Sequence, residues 1–350
     1  MMHKPGRVVA GVSVVLLLGL LSTGCYDRFV PDKKDYFSAN ANYSVTSFTA
    51  ILGRTNVFIN IFNADYSTQP LDFTIENVRH EDSSAAPELL QQVDAREWKT
   101  FYQGNEKTLA EVEAKRYTEK KPIFEIRPHS GELFFWNTDS SKVKPGTYYF
   151  DVRVKNHGGE KVFHNLVLSV RRPHPYDPYE FDDITGERKE IKDGGVTHPT
   201  SYGMVDELSR PLPADSVYIS FRKTGTGKTN TVSFIFLDQD SVPISLSHFN
   251  TTKWDSLKYH SNMADADVYF GFNRKMNADS TKVTFDITNP FPVLADVSTN
   301  WDVAHIDFSY NRISFNHRVD AGLGFSFSIY EPGNWDVIFQ FHKNPKFDDD

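Results

Sequence analysis

The chain has 350 residues, one cysteine, a formal charge of −8 and 14% aromatic side chains, with 28 Phe and 16 Tyr against 5 Trp. A single cysteine excludes an intramolecular disulfide, so the fold must rest on apolar cores, and the length allows two domains that each bury one. The acidic balance argues against nucleic acid or an anionic lipid surface as a partner, since both need a basic face, while the Phe and Tyr excess favours pleated, half-buried sheet. At the N-terminus, Lys4 and Arg7 precede an apolar run from Val8 to Leu21, which Ser22-Thr23-Gly24-Cys25 closes. That is the layout of a secretory signal with a small-residue cleavage site. The fourteen positions of the run make a helix of about 21 Å at ~1.5 Å per residue, short of the ~30 Å hydrocarbon core, so a transmembrane anchor is not expected.

Cys25 stands where the small residues end the apolar run, and it is expected to accept lipid after cleavage. The stretch resembles the lipobox of bacterial lipoproteins, departing from it where Ser22 replaces the more usual Leu. The alternative is an ordinary secreted protein whose mature form begins at a cysteine. Removing residues 1–24 leaves 326, and the loss of the two cations Lys4 and Arg7 takes the charge from −8 to −10.

The chain is expected to divide into a signal (1–24), a tether (25–40), an N-terminal β-sandwich (41–172), a Pro-rich linker (173–180) and a C-terminal β-sandwich (181–350). The tether is polar and charged, with Pro31-Asp-Lys-Lys-Asp35 at its centre. From Asn56, Val57, Ile59 and Ile61 alternate with other residues, and Leu71, Phe73 and Ile75 do so after a polar turn, a pattern that predicts a hairpin. Leu89, Leu90 and Val93, then Leu109 and Val112 in a Glu/Lys/Ala-rich run, predict a helical insertion over about 87–119. Strands resume at Ile123–Ile126 and Leu133–Trp136. A longer hairpin follows, with Tyr148, Phe150, Val152 and Val154 on one arm, Asn156-His-Gly-Gly159 at the turn, and Val162, Leu166, Leu168 and Val170 on the other. By parity His164 shares the apolar face and reads as a core or edge histidine. These short strands and turns fit an immunoglobulin-like or cadherin-like sandwich.

Pro173-His-Pro175-Tyr-Asp-Pro178 cannot continue a central strand and marks the domain boundary. Beyond it, strands are expected around Val217–Phe221, Val232–Phe236, Val268–Phe272, Val283–Ile287, Ile306–Tyr310, Phe325–Ile329 and Trp335–Phe341, which predicts a second, antiparallel sandwich. Gly227-Lys228-Thr229 ends as a phosphate loop does, but position 222 is Arg where that loop needs Gly, and a strand follows instead of a helix, so a hairpin loop is expected.

Chemistry-bearing motifs are sparse. Asp238-x-Asp240 and Asp265-x-Asp267 lack the Gly and terminal Glu of a calcium loop, His80-Glu81 lacks the second His of a zinc helix, and there is no Gly-x-Ser-x-Gly. No cofactor, no metal and no enzymatic activity are therefore expected. A glycoside hydrolase would need two carboxylates about 5 to 9.5 Å apart, a spacing that a sequence does not display. Binding is the better-supported expectation, since sugars stack apolar faces on aromatic rings beside polar groups. Trp254, in the polar stretch Thr251–Tyr259, is the aromatic least explained by strand alternation, followed by Tyr259 and Trp98; Trp335 shares parity with Val337, Phe339 and Phe341 and reads as core.

Cys25-Tyr-Asp-Arg, Pro31-Asp-Lys-Lys-Asp35, Leu52-Gly-Arg-Thr55, Asn60-Ile-Phe-Asn-Ala-Asp65, Gln69-Pro-Leu71 and Glu125-Ile-Arg-Pro-His-Ser-Gly131 together resemble an uncharacterised family of Bacteroidota lipoproteins, the domain of unknown function numbered five thousand and seven. The resemblance covers the mature chain and implies a cell-envelope lipoprotein beside glycan-uptake systems of the outer membrane. It carries over no functional residue. The expectation is thus a lipid-anchored outer-membrane protein that displays a glycan-binding surface. The alternative is an adhesin or a scaffold subunit that docks to an outer-membrane transporter.

Overall fold

The computed structural model describes residues 34–100, 106–226, 228–254, 271–293 and 303–350. Cys25 and Tyr259 lie outside the described residues, as do Asp265 and Asp267. Two apolar cores organise what is described, and each lies between two β-sheets.

In the first, strands Ser47–Ile51, Gly159–Arg171, Gly146–Asn156 and Asp72–His80 form one sheet in that order; Ser47–Ile51 runs parallel to its neighbour and the other pairings are antiparallel. A three-stranded sheet, Asn56–Phe58, Leu133–Phe135 and Phe124–Ile126, closes over it. Phe124 meets Phe150 at 4.9 Å between ring centroids and Phe48 meets Phe58 at 5.2 Å, both edge-on, which is how aromatic pairs lock one sheet to the other. The 56–58 and 72–80 strands therefore belong to opposite sheets and do not form the hairpin that their alternation predicts. The earlier strand Ser47–Ile51, which buries Phe48 and Ala50, had no counterpart among the expected elements.

The 146–171 hairpin forms as expected, with Asn156 opposite Gly159. A Cβ on Gly158 would sit 2.5 Å from the backbone of Asp35 and Tyr36, so a glycine is needed there because the N-terminal segment crosses over the turn. That segment is tied down well before residue 40: the Tyr36 amide donates to Thr68 Oγ1 at 2.9 Å, the Thr68 amide returns a bond to the Tyr36 carbonyl at 2.8 Å, and Ser38 is buried.

The second core lies between a five-stranded sheet and a second sheet. The five strands are Val217–Gly225, Asn334–Phe341, Thr231–Leu237, Lys282–Asp286 and Phe272–Met276, in that order. The second sheet pairs Ala304–Ser314 with His317–Ile329, and the short strands Tyr176–Asp177 and Thr200–Tyr202 lie along the free edge of the latter. Phe234, Phe236, Phe308, Phe327 and Phe339 fill the space between, and Trp335 is buried with them. This sandwich is antiparallel except where Thr231–Leu237 runs parallel to Asn334–Phe341. Because Asn334–Phe341 inserts between Val217–Gly225 and Thr231–Leu237, the loop around Lys228 joins two strands that do not pair, and it is not a hairpin loop.

Residues 87–122 differ from the helical expectation. A 3-10 turn at Pro87–Leu90 leads into the strand Gln92–Trp98, which pairs antiparallel with Arg116–Pro122, and among the described residues between them stands one short helix, Leu109–Ala114, capped by Thr108 Oγ1. Leu89 and Val93 have helical spacing, but Val93 and Ala95 are both buried on alternating positions, so sheet periodicity prevails after Pro87. This ribbon leaves the first sandwich, where Val93 and Ala95 are buried in the core, and reaches the second. Val112 is fully buried in the second core, with Trp98 and Leu109 packed against it.

Candidate functional site

The sequence-predicted residues are dispersed. Trp254 is partly buried against the second core, its ring 5.8 Å from Phe308, so it folds back on its own sandwich. Trp98, on the ribbon, lies under the Arg116 guanidinium at 5.6 Å. Asp238, one of the acids weighed for calcium, accepts the Asp240 and Val242 amides through Oδ1 and is a turn residue. Among the described residues no group of three or more His, Cys, Asp or Glu is placed to hold a metal ion, and no helix is long and apolar enough to cross a membrane.

His164 departs from its parity. The register of the hairpin slips between Phe150 and Val152, which face Leu166 and Phe163, so the single residue Asp151 on one strand stands against two, His164 and Asn165, on the other. Phe163 joins the core while His164 turns outward. Beside the slip, Asp151 is buried and accepts from Asn77 Nδ2 at 3.1 Å, Arg79 Nη1 at 3.3 Å, His164 Nδ1 at 3.0 Å and the Asn165 amide at 2.9 Å. Burial pushes its carboxyl up, but the Asn165 amide, the His164 and Asn77 bonds and the Arg79 charge outweigh burial and hold it at about 2. Both oxygens are occupied by groups that shape the bulge, so this carboxylate and histidine serve architecture, with no nucleophile among the partners.

The structure brings recognition chemistry together elsewhere, at the junction of the sandwiches. Asp177 pairs with Ser328, Tyr176 pairs with Ile329, and the Tyr330 amide donates to the Pro175 carbonyl at 2.9 Å, so the Pro-rich linker is stitched to the second sandwich. Arg54, from the first sandwich, reaches across to Asp177 at 2.7 Å, and its guanidinium lies 4.4 Å from the centre of the Tyr330 ring. Burial pushes the Asp177 carboxyl up, yet the bond from His174 and the charge and bond of Arg54 hold it below the usual carboxylate range.

Next to this clamp runs a groove of two adjoining compartments, about 550 and 420 Å³, which share Pro145, Arg172 and Asp183. His174 and Tyr179 line it, stacked at 4.6 Å with an interplanar angle of 27°. The Nε2 atom of His174 is buried and has no hydrogen-bond partner among the described residues. Burial, then the nearby Glu180 and Glu331 charges, push the Tyr179 hydroxyl above its ordinary value, so it remains a donor. A mixed wall of aromatic, guanidinium and carboxylate groups at a domain interface is the usual make-up of a small-ligand site. Sequence reasoning read 173–180 only as a linker; the signal for the site was the crowding of His174, Tyr176 and Tyr179 beside Arg171 and Arg172. A smaller polar cavity of about 250 Å³ lies between Glu106, Lys107 and Phe272–Arg274.

The fold and junction define a protein of two β-sandwiches bridged by a clamped linker and a ribbon from the first to the second. The chain belongs to the family Domain of unknown function (DUF5007), whose model matches residues 62–349. No curated protein matches it in sequence. Among solved structures it is similar to the two tandem V-type regions of VCBP3 (v-region-containing chitin binding protein) at 10% identity, covering 85% of this chain and 98% of that one, with a TM-score of 0.20. A score that low bears on neither fold nor ligand.

Proposed function

We propose that this protein is a non-enzymatic lipoprotein of the outer membrane, anchored through lipid on Cys25, whose two sandwiches display a glycan-binding groove at their junction. The observation that carries the binding reading is the groove beside the linker, where the stacked His174 and Tyr179 rings meet Arg172 and Asp183. Aromatic walls suit the apolar faces of sugars, and a guanidinium and a carboxylate suit their polar substituents. The anchor rests on the sequence around Cys25. Two tests apply: Cys25→Ser should release the protein from membranes, and affinity electrophoresis through gels containing plant, host and microbial polysaccharides should show retardation by at least one. Membrane retention of Cys25→Ser overturns the anchor; free migration in every gel overturns glycan binding.

A second reading, a scaffold subunit docking to an outer-membrane transporter, is favoured by one observation. Tyr66 and Phe315 sit at turns with φ of +64° and +49° and are 96% and 87% exposed. Bulky residues at positive φ are strained, and such strain is tolerated where an exposed side chain is presented to a partner. Under this reading, crosslinking through a photoreactive residue at 315 captures a transporter.

A further inference from the structure

We propose that the junction groove takes an acidic saccharide, one carrying carboxylate or sulfate groups; this rests on the glycan-binding reading. The inference comes from the local charges. Most acids around the groove are already engaged: Glu180 by Arg188 at 2.7 Å, Glu331 by Lys223 at 2.6 Å, Asp177 by Arg54 at 2.7 Å. Asp182 accepts the Ile184 and Thr185 amides at 2.8 and 2.7 Å, which spends one of its oxygens on the turn.

The cations of the groove are not engaged in that way. Arg171 and Arg172 line it, and among the described residues neither guanidinium has an ion-pair or hydrogen-bond partner. Among the described residues Lys144 donates only to the Ser140 carbonyl, at 2.8 Å. The lining acids are Asp182, whose amide contacts leave its negative charge in place, and Asp183, so three cations stand against two carboxylates. The groove is thus a local basic site on a chain whose formal charge is −8. At physiological salt the screening length is about 8 Å, so an anion in the groove responds to these neighbours far more than to the remote acids of the chain.

Position adds shape to charge. A Cβ on Gly186 would lie 3.0 Å from Arg172 Nη1, so the guanidinium rests on bare backbone at the groove wall, opposite no side chain at that point. The planar fork of an arginine donates two parallel N–H bonds to a carboxylate or sulfate. The stacked His174 and Tyr179 rings line the same compartment and offer a platform for the sugar ring that carries the anion.

The test uses the full chain in non-ionic detergent, run by affinity electrophoresis through polygalacturonate, its methyl ester, dextran sulfate and dextran. The expected result is retardation by polygalacturonate or dextran sulfate, little or none by the uncharged counterparts, weakening as salt rises, and about tenfold weaker binding for Arg172→Gln. Arg172 is exposed, so this variant folds; an unchanged melting curve verifies it. Retardation by polygalacturonate alone identifies a carboxylate ligand, and by dextran sulfate alone a sulfated one; both support the proposal. Equal retardation by acid and ester, or wild-type binding by Arg172→Gln, overturns it and leaves glycan binding standing. If none of the four, and no other polysaccharide of a broad panel, retards the wild type, both fall.

Discussion

Replacing Arg54 with Ala is expected to loosen the junction of the two sandwiches. Arg54 and Asp177 have side chains 17% and 34% exposed and meet at 2.7 Å. With charge centres about 4 Å apart and an effective dielectric near 20, their gross attraction is about 4 kcal/mol. Desolvation and partial solvent access return most of it, leaving a coupling of about 1–2 kcal/mol, between that of an exposed pair and a buried one. The cation–π contact with Tyr330 adds about 1 kcal/mol. Arg54→Ala should therefore cost about 2–3 kcal/mol in urea unfolding followed by tryptophan fluorescence. A double-mutant cycle with Asp177→Asn isolates the pair, and amide exchange should quicken at Tyr176 and Asp177. The sign with pH follows from the lowered Asp177 carboxyl: the pair's contribution is complete above the unfolded value of about 3.9 and drains as pH falls through the lower folded one. A coupling below about 0.3 kcal/mol, with exchange unchanged, would refute the clamp.

Asp151→Ala should destabilise by about 2–4 kcal/mol, since it strands the Asn165 amide, Asn77 and Arg79 around a buried site. The carboxyl of Asp151 is held at about 2, so wild type should lose stability relative to Asp151→Asn between about pH 4 and 2 in acid titration by circular dichroism; parallel curves would contradict the reading. Val112→Ala deletes two buried methyl-sized groups and should cost about 1.5–2.5 kcal/mol, with the loss of protection falling on the second sandwich's core even though the residue belongs to the first half of the chain. Gly158→Ala should cost about 1–3 kcal/mol and free the 34–38 segment to exchange, because the added methyl meets the Asp35–Tyr36 backbone.

Strand content was legible wherever alternation was long and two-sided. Phe234 and Phe236, Trp335 to Phe341, and the 146–171 hairpin occupy the expected positions because buried sheet faces impose period two on the sequence. Pairing was less legible, since alternation in 56–58 and 72–80 records burial but not which sheet a strand joins. His164 was misplaced because a register slip shifts parity without a local marker. The ribbon 92–122 was misread because helix-forming residues such as Glu111 and Lys115 cluster beside a strand whose burial is decided by packing against distant elements. At the junction, chain order hid the site: Arg54, Asp177 and Tyr330 are brought together only when the linker pairs with the 317–329 strand.

The central claim is that a glycan occupies the junction groove. Affinity electrophoresis of wild type, Tyr179→Ala, Arg172→Gln and Trp254→Ala through the same polysaccharide panel tests it most directly. The account predicts retardation of the wild type by at least one glycan, lost or sharply reduced in Tyr179→Ala and Arg172→Gln and retained in Trp254→Ala. Retardation lost in Trp254→Ala alone, or absent from every gel, would contradict it.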